Sequence, residues 1–288
     1  MFYLLILLLQ MKLIKQITDL NKAINKEKKL GFVPTMGSLH KGHEALIKES
    51  QKKCKKTIVT IFVNPTQFNN KKDLNLYPKN LTKDCNYLDS ISSDIIIFAP
   101  EINDIYDNNL SVKKFNFYGL DKFMEGKYRK GHFNGVATIV SYLFNIVKPN
   151  NAYFGEKDFQ QLRIIQQLVI DNNIPVNVIG CETIREKDGL ALSSRNIKLS
   201  KHYRKIASKI YEIINYVRIN FSSMSFLEIY TYVEKFFDNI PEIKLEYFTI
   251  AESKFLQPVK EKMKNKQYRA FIAVKLDGVR LIDNMELN

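Results

Sequence analysis

Short apolar runs alternate with longer segments of helical periodicity over residues 30–180, and this alternation constrains the fold more than any other feature of the sequence. The apolar runs are rich in β-branched and aromatic residues and cover 30–35, 57–63, 94–98, 151–155 and 175–180. The helical segments between them cover 42–54, 80–91, 134–147 and 158–173. Near-continuous apolar strands joined by helices are typical of parallel strands buried on both faces. The sequence therefore predicts an α/β protein with a doubly wound parallel sheet.

The pattern changes after about residue 184. Helical periodicity covers 201–220 and 225–238, and strand-like runs follow at 243–251, 269–276 and 279–283. The last two runs are separated by Asp-Gly at 277–278, a dipeptide that favours a tight hairpin turn. Helices followed by antiparallel strands indicate a smaller α+β domain. We therefore predict one domain over 11–184 and a second, C-terminal domain over 185–288.

The first ten residues, MFYLLILLLQ, are strongly apolar. The run is too short to span a bilayer, and it lacks the basic start and small-residue cleavage site of a signal peptide. Met11 opens a segment, 12–24, that is typical of a first strand and helix. We interpret residues 1–10 as an upstream extension; a weakly membrane-associating tail is the alternative.

The formal net charge of +14 raises the question of a polyanionic partner. The basic residues are mostly lysines scattered along the chain, and a phosphorylated small substrate explains a basic cleft equally well. We therefore expect no nucleic-acid partner. The three cysteines include no C-x-x-C pair, which argues against a disulfide framework or zinc site and fits a reducing compartment.

Two histidines, His40 and His43, flank Lys41 and Gly42 after the 30–35 strand and at the start of a predicted helix. Free N–H groups and the helix dipole favour an anion at such a position, and two imidazoles can donate hydrogen bonds to the same phosphates. The H-x-G-H pattern thus predicts a site for ATP phosphates. A plain strand-to-helix turn with two surface histidines is the alternative.

Further polar groups follow other strands at the same predicted sheet edge. Asn64 and Gln67, in FVNPTQF after the 57–63 strand, offer amides suited to a substrate with hydroxyls and a carboxylate. Turn chemistry at Asn-Pro explains them equally well. In YFGEKDFQQL after the 151–155 strand, Lys157 supplies a charge for phosphate, Asp158 caps a helix or holds a ribose hydroxyl, and Gln161 faces the same cleft.

The loop DGLALSSRN, 188–196, lies near the predicted domain boundary. Its Ser193, Ser194 and Arg195 form a compact donor cluster that can follow a triphosphate as charge moves during adenylyl transfer. The position suits a flap that closes over ATP. An ordinary polar loop is the competing interpretation.

Taken together, these motifs resemble the pantoate–β-alanine ligase family. VPTMGSLHKGH, IFVNPTQF, YPKNLTKD, GHFNGVATIV, YFGEKDFQQL, DGLALSSRN and VRLIDN occur in the family's order over residues 11–284. The resemblance implies a Rossmann-like domain followed by a small C-terminal domain, a homodimer, and a cytoplasmic enzyme without a membrane partner. It also implies a two-step reaction in which pantoate is adenylated by ATP with Mg²⁺ and β-alanine then displaces AMP.

The resemblance assigns site residues by position. His43 matches the family's proton donor, although stabilising the charge that develops on pyrophosphate would do the same work. We take His43, His40, Lys157 and Arg195 as the catalytic set. The residues that match ATP contacts are Met36, Gly37, Ser38, Leu39, His40, Lys41, Gly42, His43, Gly155, Glu156, Lys157, Asp158, Ile184, Leu192, Ser193, Ser194 and Arg195. Gln67 and Gln161 match the pantoate contacts, with Gln67 also near β-alanine.

Two alternatives and one metal ligand stay open at this point. An H-x-G-H nucleotidylyltransferase would want more arginine at its acceptor site than FVNPTQF offers. A basic nucleic-acid-binding protein would need basic and aromatic residues clustered on one face. Asp84 in YPKNLTKD is a candidate Mg²⁺ ligand, because one carboxylate plus substrate phosphates is a normal magnesium arrangement; a solvated helix residue is the other interpretation.

Overall fold

The computed structural model describes residues 12–24, 29–106 and 110–287. They form two compact units. The first unit comprises the described residues of Met1–Phe115, with Gly131–Gly155 and Ile164–Cys181. The second comprises Asn116–Lys130, Glu156–Arg163 and the described residues of Glu182–Asn288. Each unit is therefore assembled from several stretches of the chain.

The first unit is built on a parallel sheet of six strands in the order β1-β4-β3-β2-β5-β6. The strands are β1 (Lys12–Ile14), β2 (Leu30–Thr35), β3 (Lys56–Ile61), β4 (Ile96–Phe98), β5 (Asn151–Gly155) and β6 (Asn177–Cys181). From β2 at the centre, the chain adds β3 and then β4 on one side of the sheet. On the other side of β2 it adds β5 and then β6. The direction of the winding thus reverses between β2 and β5, as the prediction of a doubly wound sheet requires.

Helices connect the strands and also make up much of the second unit. In chain order they are α1 (Ile17–Ile24), α2 (Lys41–Lys53), α3 (Lys71–Asn75), α4 (Leu81–Ile91), α5 (Ile102–Tyr106), α6 (Met124–Tyr128), α7 (His132–Val147), α8 (Phe159–Asp171), α9 (Lys201–Ile206), α10 (Lys209–Asn220) and α11 (Phe226–Asp238). Single 3-10 turns occur at Pro65–Gln67, Glu156–Asp158 and Asn196–Lys198.

Adjacent residues of β2 show why these strands have apolar runs rather than alternating patterns. Phe32 and Val33 are both fully buried, although they point to opposite faces of the sheet. Val33 belongs to a core cluster with Ile47 of α2 and Leu88 of α4. Phe32 packs edge-on against Phe144 of α7, with ring centroids 6.1 Å apart. Helices therefore cover both faces, which confirms the predicted α/β architecture.

The second unit contains an antiparallel sheet in the order β7-β8-β9, with β7 (Ile243–Glu252), β8 (Tyr268–Leu276) and β9 (Val279–Glu286). Asp277 and Gly278 join β8 to β9 with φ values of 52° and 70°, the left-handed pair that a tight hairpin turn of this type requires. Residues such as Ile213 of α10 and Ile229 of α11 form a core with the sheet. The predicted α+β character of this region is confirmed.

One helix prediction is wrong. The segment 201–220 is two helices, α9 and α10, rather than one. Between them, the N–H groups of Ile210 and Tyr211 donate to the carbonyls three residues earlier, at Ala207 and Ser208. These contacts between residues three apart form a tighter turn at a point where the helical periodicity of the sequence continues, and Ala207 is fully buried there.

Within the described residues, no helix has both the length and the apolar character needed to cross a membrane. Residues 1–10, which we interpret as an extension, lie outside the described residues. The boundary between residues 184 and 185 stays a prediction. The segments 116–130 and 156–163 precede that boundary in the chain and pack with the second unit.

Candidate active site

The polar motifs of the first unit lie where parallel strands end. The H-x-G-H turn follows β2, Gly155 closes β5, and β2 and β5 are neighbours at the point where the winding reverses. The amides of FVNPTQF follow β3, which pairs with the other edge of β2. Ligands of open α/β sheets bind outside the carboxyl ends of strands at such a reversal. The first unit therefore brings these motifs together at one sheet edge.

The H-x-G-H turn has an unusual backbone held by a buried carboxylate. Gly37 and Ser38 both take left-handed conformations, with φ values of 78° and 52°. The Gly37 N–H donates to Oγ1 of Thr35 at 3.1 Å. Asp84 of α4 accepts the Ser38 N–H at its Oδ2, 2.9 Å away, and the Leu39 N–H at its Oδ1, 2.8 Å away. Strain in the turn is thus offset by contacts from two other elements.

The two histidines cap the start of α2 reciprocally. Nδ1 of His40 accepts the N–H of Gly42 at 3.1 Å, and Nδ1 of His43 accepts the N–H of His40 at 3.3 Å. A nitrogen that accepts a backbone N–H carries no proton, so both rings hold their proton on Nε2. The two rings lie 4.1 Å apart between centroids. The cap therefore gives both imidazoles the same tautomer, in which Nε2–H is the donor.

Asn64 is the centre of a buried amide network at the end of β3. Its side chain is 1% exposed; Oδ1 accepts the hydroxyl proton of Tyr106 at 2.6 Å. Its Nδ2 donates to Oε1 of Gln67 and to the carbonyl of Gly135, each at 3.2 Å. A buried polar group needs such partners because an unsatisfied buried donor or acceptor costs about 1–3 kcal/mol of stability. Asn64 thus serves to orient Gln67.

Gln67 is held from several directions on the 3-10 turn Pro65–Gln67. Its Nε2 donates to Sδ of Met36 at 3.0 Å, and its backbone carbonyl accepts from Nδ1 of buried His132 at 2.8 Å. Gly135, one turn further along α7, lies so close to this turn that a Cβ there would overlap the Thr66 carbonyl. The position of Gln67 is therefore fixed by α7 as well as by β3.

A cavity of about 490 Å³ opens in the first unit beside Met36 and Asp84. Its floor is mainly apolar, with Ile61, Phe62 and Pro100 among the lining residues, and Lys15, Lys79 and Glu101 add charged groups. The cavity lies past the carboxyl ends of β3 and β4, next to the amide network. A small ligand with apolar and charged parts fits such surroundings.

In the second unit, the turn Glu156–Asp158 is bound to β9. Nδ2 of Asn284 donates to the carbonyls of Glu156 and Lys157, each at 2.8 Å. Nη2 of Arg269 lies 3.3 Å from a carboxylate oxygen of Glu156. The Lys157 ammonium stands 3.9 Å from the Asp158 carboxylate. Contacts to the antiparallel sheet therefore fix the backbone that carries Lys157.

The loop that carries Ser193, Ser194 and Arg195 is fixed to the same strand. Arg185 binds the buried Asp283 carboxylate through two hydrogen bonds of 2.6 and 2.9 Å. The N–H of Leu192 donates to the carbonyl of Ile184 at 3.0 Å, so these two predicted ATP contacts are neighbours. Ser193 Oγ accepts the Arg195 N–H at 3.2 Å. Strand β9 thus anchors two of the predicted motifs within the second unit.

A second cation, Arg129, lies near Arg195. Burial lowers the pKa of the Arg129 guanidinium; the charge of Glu125 opposes this shift, and the charge of Arg195 adds to it. Glu125 approaches Arg129 at 3.6 Å and accepts two hydrogen bonds of 2.7 Å from Arg280. Burial raises the pKa of Glu125, but Arg280 outweighs burial and the result is a pKa of about 2. The carboxylate thus stays charged and pairs with both Arg129 and Arg280.

The predicted magnesium ligand does not fit a metal in this arrangement. Asp84 is 4% exposed, and each of its oxygens already accepts a backbone N–H. Across the part of the chain that the structure describes, no group of three or more His, Cys, Asp or Glu side chains could hold a metal ion. The donors around Asp84 are N–H groups, which bind a carboxylate and repel a cation.

Comparison with known proteins decides the family. A family model for pantoate-beta-alanine ligase matches residues 10–286. The chain belongs to the pantoate–β-alanine ligase family. It is 48% identical to a pantothenate synthetase of Christiangramia forsetii over 94% of this chain and 96% of the relative. It is 47% identical to that of Flavobacterium psychrophilum, again over 94% of this chain and 96% of the relative.

Solved structures agree with this assignment. Pantothenate synthetase from Thermus thermophilus superimposes with a TM-score of 0.90 at 36% identity, covering 96% of this chain and 99% of that one. The ligase from Francisella tularensis, complexed with beta-gamma ATP and beta-alanine, superimposes with a TM-score of 0.80 at 38% identity, covering 96% and 98%. The chain is therefore a pantoate–β-alanine ligase that uses ATP, and the predicted fold class and activity are confirmed.

Several residues that contact the predicted site residues have no role assigned from the sequence. His132 and Gly135 lie in GHFNGVATIV, and Asp283 and Asn284 lie in VRLIDN, two motifs that carried the resemblance without an assigned role. Polar residues within these otherwise apolar motifs were the sequence signal that could have pointed to a role. Glu125 has no such signal, because a single glutamate in a polar stretch is usually solvent-exposed.

Proposed function

We propose that this ligase works in two steps through a pantoyl adenylate. In the first step a carboxylate oxygen of pantoate attacks the α-phosphorus of ATP, and the bond to the bridging oxygen breaks to release pyrophosphate. In the second the unprotonated amine of β-alanine attacks the acyl carbon, the bond to AMP breaks, and the amine's proton leaves to solvent. The observation that supports this assignment best is the reciprocal cap of His40 and His43 where the sheet winding reverses.

We assign the charges that develop in the first step to two sets of donors. His40 and His43 present neutral Nε2–H groups to the phosphates, in a turn whose backbone is already fixed before ligand arrives. Lys157 and Arg195 supply positive charge from backbone that β9 anchors, and Arg129 adds a further guanidinium beside Arg195. Donors fixed in advance stabilise developing charge without reorganisation, which is the usual source of large rate effects.

Pantoate is assigned to the amides. Met36 and Asn64 hold opposite ends of the Gln67 amide, so its orientation toward a ligand is set in advance. Gln161 is half-buried near the start of α8 and is the second proposed contact. The apolar floor of the neighbouring cavity suits the methyl groups of pantoate. For the remaining ATP contacts, we propose the residues that match the family's ATP-binding motifs in the sequence.

Four further features belong to the proposal. Mg²⁺ is expected to arrive on the ATP phosphates, where it would neutralise charge. A homodimer and the absence of a nucleic-acid partner follow from the family resemblance and from the scattered lysines. A cytoplasmic location fits the three free cysteines, Cys54, Cys85 and Cys181. Sedimentation and a salt-dependent gel shift test the dimer and the nucleic-acid prediction.

The two-step scheme is tested by omitting substrates in turn. With ATP, Mg²⁺ and labelled pantoate alone, the protein should release pyrophosphate and hold an acid-labile pantoyl adenylate. It should also exchange labelled pyrophosphate into ATP only when pantoate is present. Adding β-alanine should convert the adenylate to pantothenate and AMP. If no adenylate forms and AMP appears only when all three substrates are mixed, the two-step scheme is wrong for this chain.

A further inference from the structure

Asp84 has the geometry of a backbone anchor. Each carboxylate oxygen accepts one N–H from the turn between β2 and α2, at 2.9 Å from Ser38 and 2.8 Å from Leu39. The side chain is 4% exposed, so these two hydrogen bonds satisfy a buried charge. Hydrogen bonds to a charged group are stronger than neutral ones, because the charge strengthens the attraction where water is excluded.

The turn needs such an anchor because its backbone is strained. Ser38 is left-handed although it has a side chain, a conformation that is unfavourable for a residue other than glycine. Gly37 is left-handed too, and a Cβ there would lie 2.8 Å from Oδ2 of Asp84. The carboxylate therefore packs against the glycine as closely as the backbone allows. Both acceptors come from α4, an element separate from the turn that they hold.

The anchor also determines what the turn can offer a ligand. Because Asp84 takes the N–H groups of Ser38 and Leu39, these two are not the donors that meet a phosphate. The next residue, His40, begins the reciprocal cap with His43. A shift of the turn by about 1 Å would move both imidazoles, and misplacement of that size can cost about 100-fold in rate.

We propose that Asp84 is a positioning residue that fixes the H-x-G-H turn, and that it is not a magnesium ligand. The inference rests on the proposed function for its effect on rate, while the anchoring contact stands on its own. Asp84 acts through backbone N–H groups and does not touch ATP. Each of its two carboxylate oxygens accepts a backbone N–H group.

One test uses the free protein and measures no activity. In the absence of ATP and Mg²⁺, the amides of Ser38 and Leu39 should exchange with deuterium slowly, as hydrogen-bonded groups do. In Asp84→Ala both should exchange at least about tenfold faster, while the amides of β3 keep their protection. Fast exchange of both amides in the wild-type protein would overturn the proposal, even if every Asp84 variant failed to fold.

The second test separates positioning from metal binding. Pantoate-dependent exchange of pyrophosphate into ATP is measured across Mg²⁺ concentrations for the wild type, Asp84→Asn and the control Asp94→Asn, whose carboxylate is 83% exposed. In Asp84→Asn the amide NH₂ faces a backbone N–H, so the maximal rate should fall by roughly 10- to 100-fold. The Mg²⁺ concentration at half-maximal rate should stay within about twofold of wild type, and the control should match wild type.

A metal ligand would behave differently. If Asp84 binds Mg²⁺, Asp84→Asn should need at least about tenfold more Mg²⁺ and should recover its rate when Mg²⁺ is raised; that result would overturn the proposal. A wild-type protein that shows no pantoate-dependent exchange would instead refute the proposed function. The deuterium experiment would still decide whether Asp84 anchors the turn.

Discussion

The tautomer of His43 leads to a prediction that distinguishes a hydrogen-bond donor from a proton donor. His40 donates its backbone N–H to Nδ1 of His43 at 3.3 Å, which leaves the proton on Nε2. Glutamine can place an amide N–H near the position of Nε2, but it cannot release a proton or become charged. Replacing His43 with glutamine therefore keeps the donor and removes the acid.

The magnitude follows from the loss of a single fixed donor. His43→Ala should lower the rate of pantoate-dependent pyrophosphate exchange by about 10²–10³, or about 2.7–4 kcal/mol. His43→Gln should recover most of this and remain within about tenfold of wild type, because one neutral hydrogen bond of poorer geometry costs about 1 kcal/mol. His40→Asn should fold well, since asparagine is a good N-cap, yet should lose rate because it lacks the outer donor.

The assay is initial-rate exchange at saturating ATP and pantoate, with circular dichroism to confirm folding. His202→Ala is the control, because His202 is exposed on α9 and should leave the rate unchanged. If His43→Gln is as slow as His43→Ala, the donor interpretation is refuted and the reaction needs an imidazole that exchanges a proton. If His43→Ala keeps the wild-type rate, the phosphate site itself is wrongly assigned.

Three further predictions concern other parts of the structure. Gly135→Ala should push the turn that carries Gln67 and raise KM for pantoate more than KM for ATP, at a cost in stability of about 1–3 kcal/mol measured by urea unfolding. Gln67→Ala and Gln161→Ala should weaken pantoate binding by about 1–3 kcal/mol with less effect on ATP, and calorimetry showing the reverse would mean the amides are assigned to the wrong ligand. The pKa of Glu125 falls to about 2 from 4.5, so its stabilisation is present above pH 4.5 and is lost as the pH falls toward 2. Glu125→Gln should therefore lose about 3 kcal/mol at neutral pH, and the difference from wild type should shrink as the pH falls toward the folded-state pKa; an equal loss at every pH would contradict this reasoning.

The strands of the parallel sheet were predictable because burial on both faces requires a continuous run of apolar residues, which is visible in the local sequence. Residues such as Phe32 and Val33 are adjacent, apolar and both buried, so the strand is visible without knowledge of its neighbours. The helices α3, α5 and α6 were not predicted. Each has five residues, which is shorter than two turns and shows no periodicity. The break between α9 and α10 falls at Ala207 and Ser208, where neither a glycine nor a proline marks it in the sequence.

The residues that hold the site are harder to predict than the residues that form it. Asp84 and Ser38 are 46 positions apart, and Glu125 and Arg280 are 155 positions apart. No pattern in a short window records such a contact. The turn that carries His40 and His43 was predictable because it lies within a few residues, while its role at the phosphates stays a prediction. The tautomer of the two rings follows only from the hydrogen bonds of the folded chain.

Strand β9 explains why VRLIDN belongs with the chemical motifs although it binds no ligand in our proposal. Arg280 holds Glu125 and through it α6, Asp283 holds Arg185 at the start of the Ile184–Arg195 loop, and Asn284 holds the turn that carries Lys157. Three segments that supply cations are thus fixed by side chains of one strand. Each of these three side chains makes hydrogen bonds to a different segment. Replacing any of them with a residue of similar size but without the same donor or acceptor would therefore leave one of those segments less firmly held. Strand β9, at the end of the chain, therefore positions the basic side chains of the second unit.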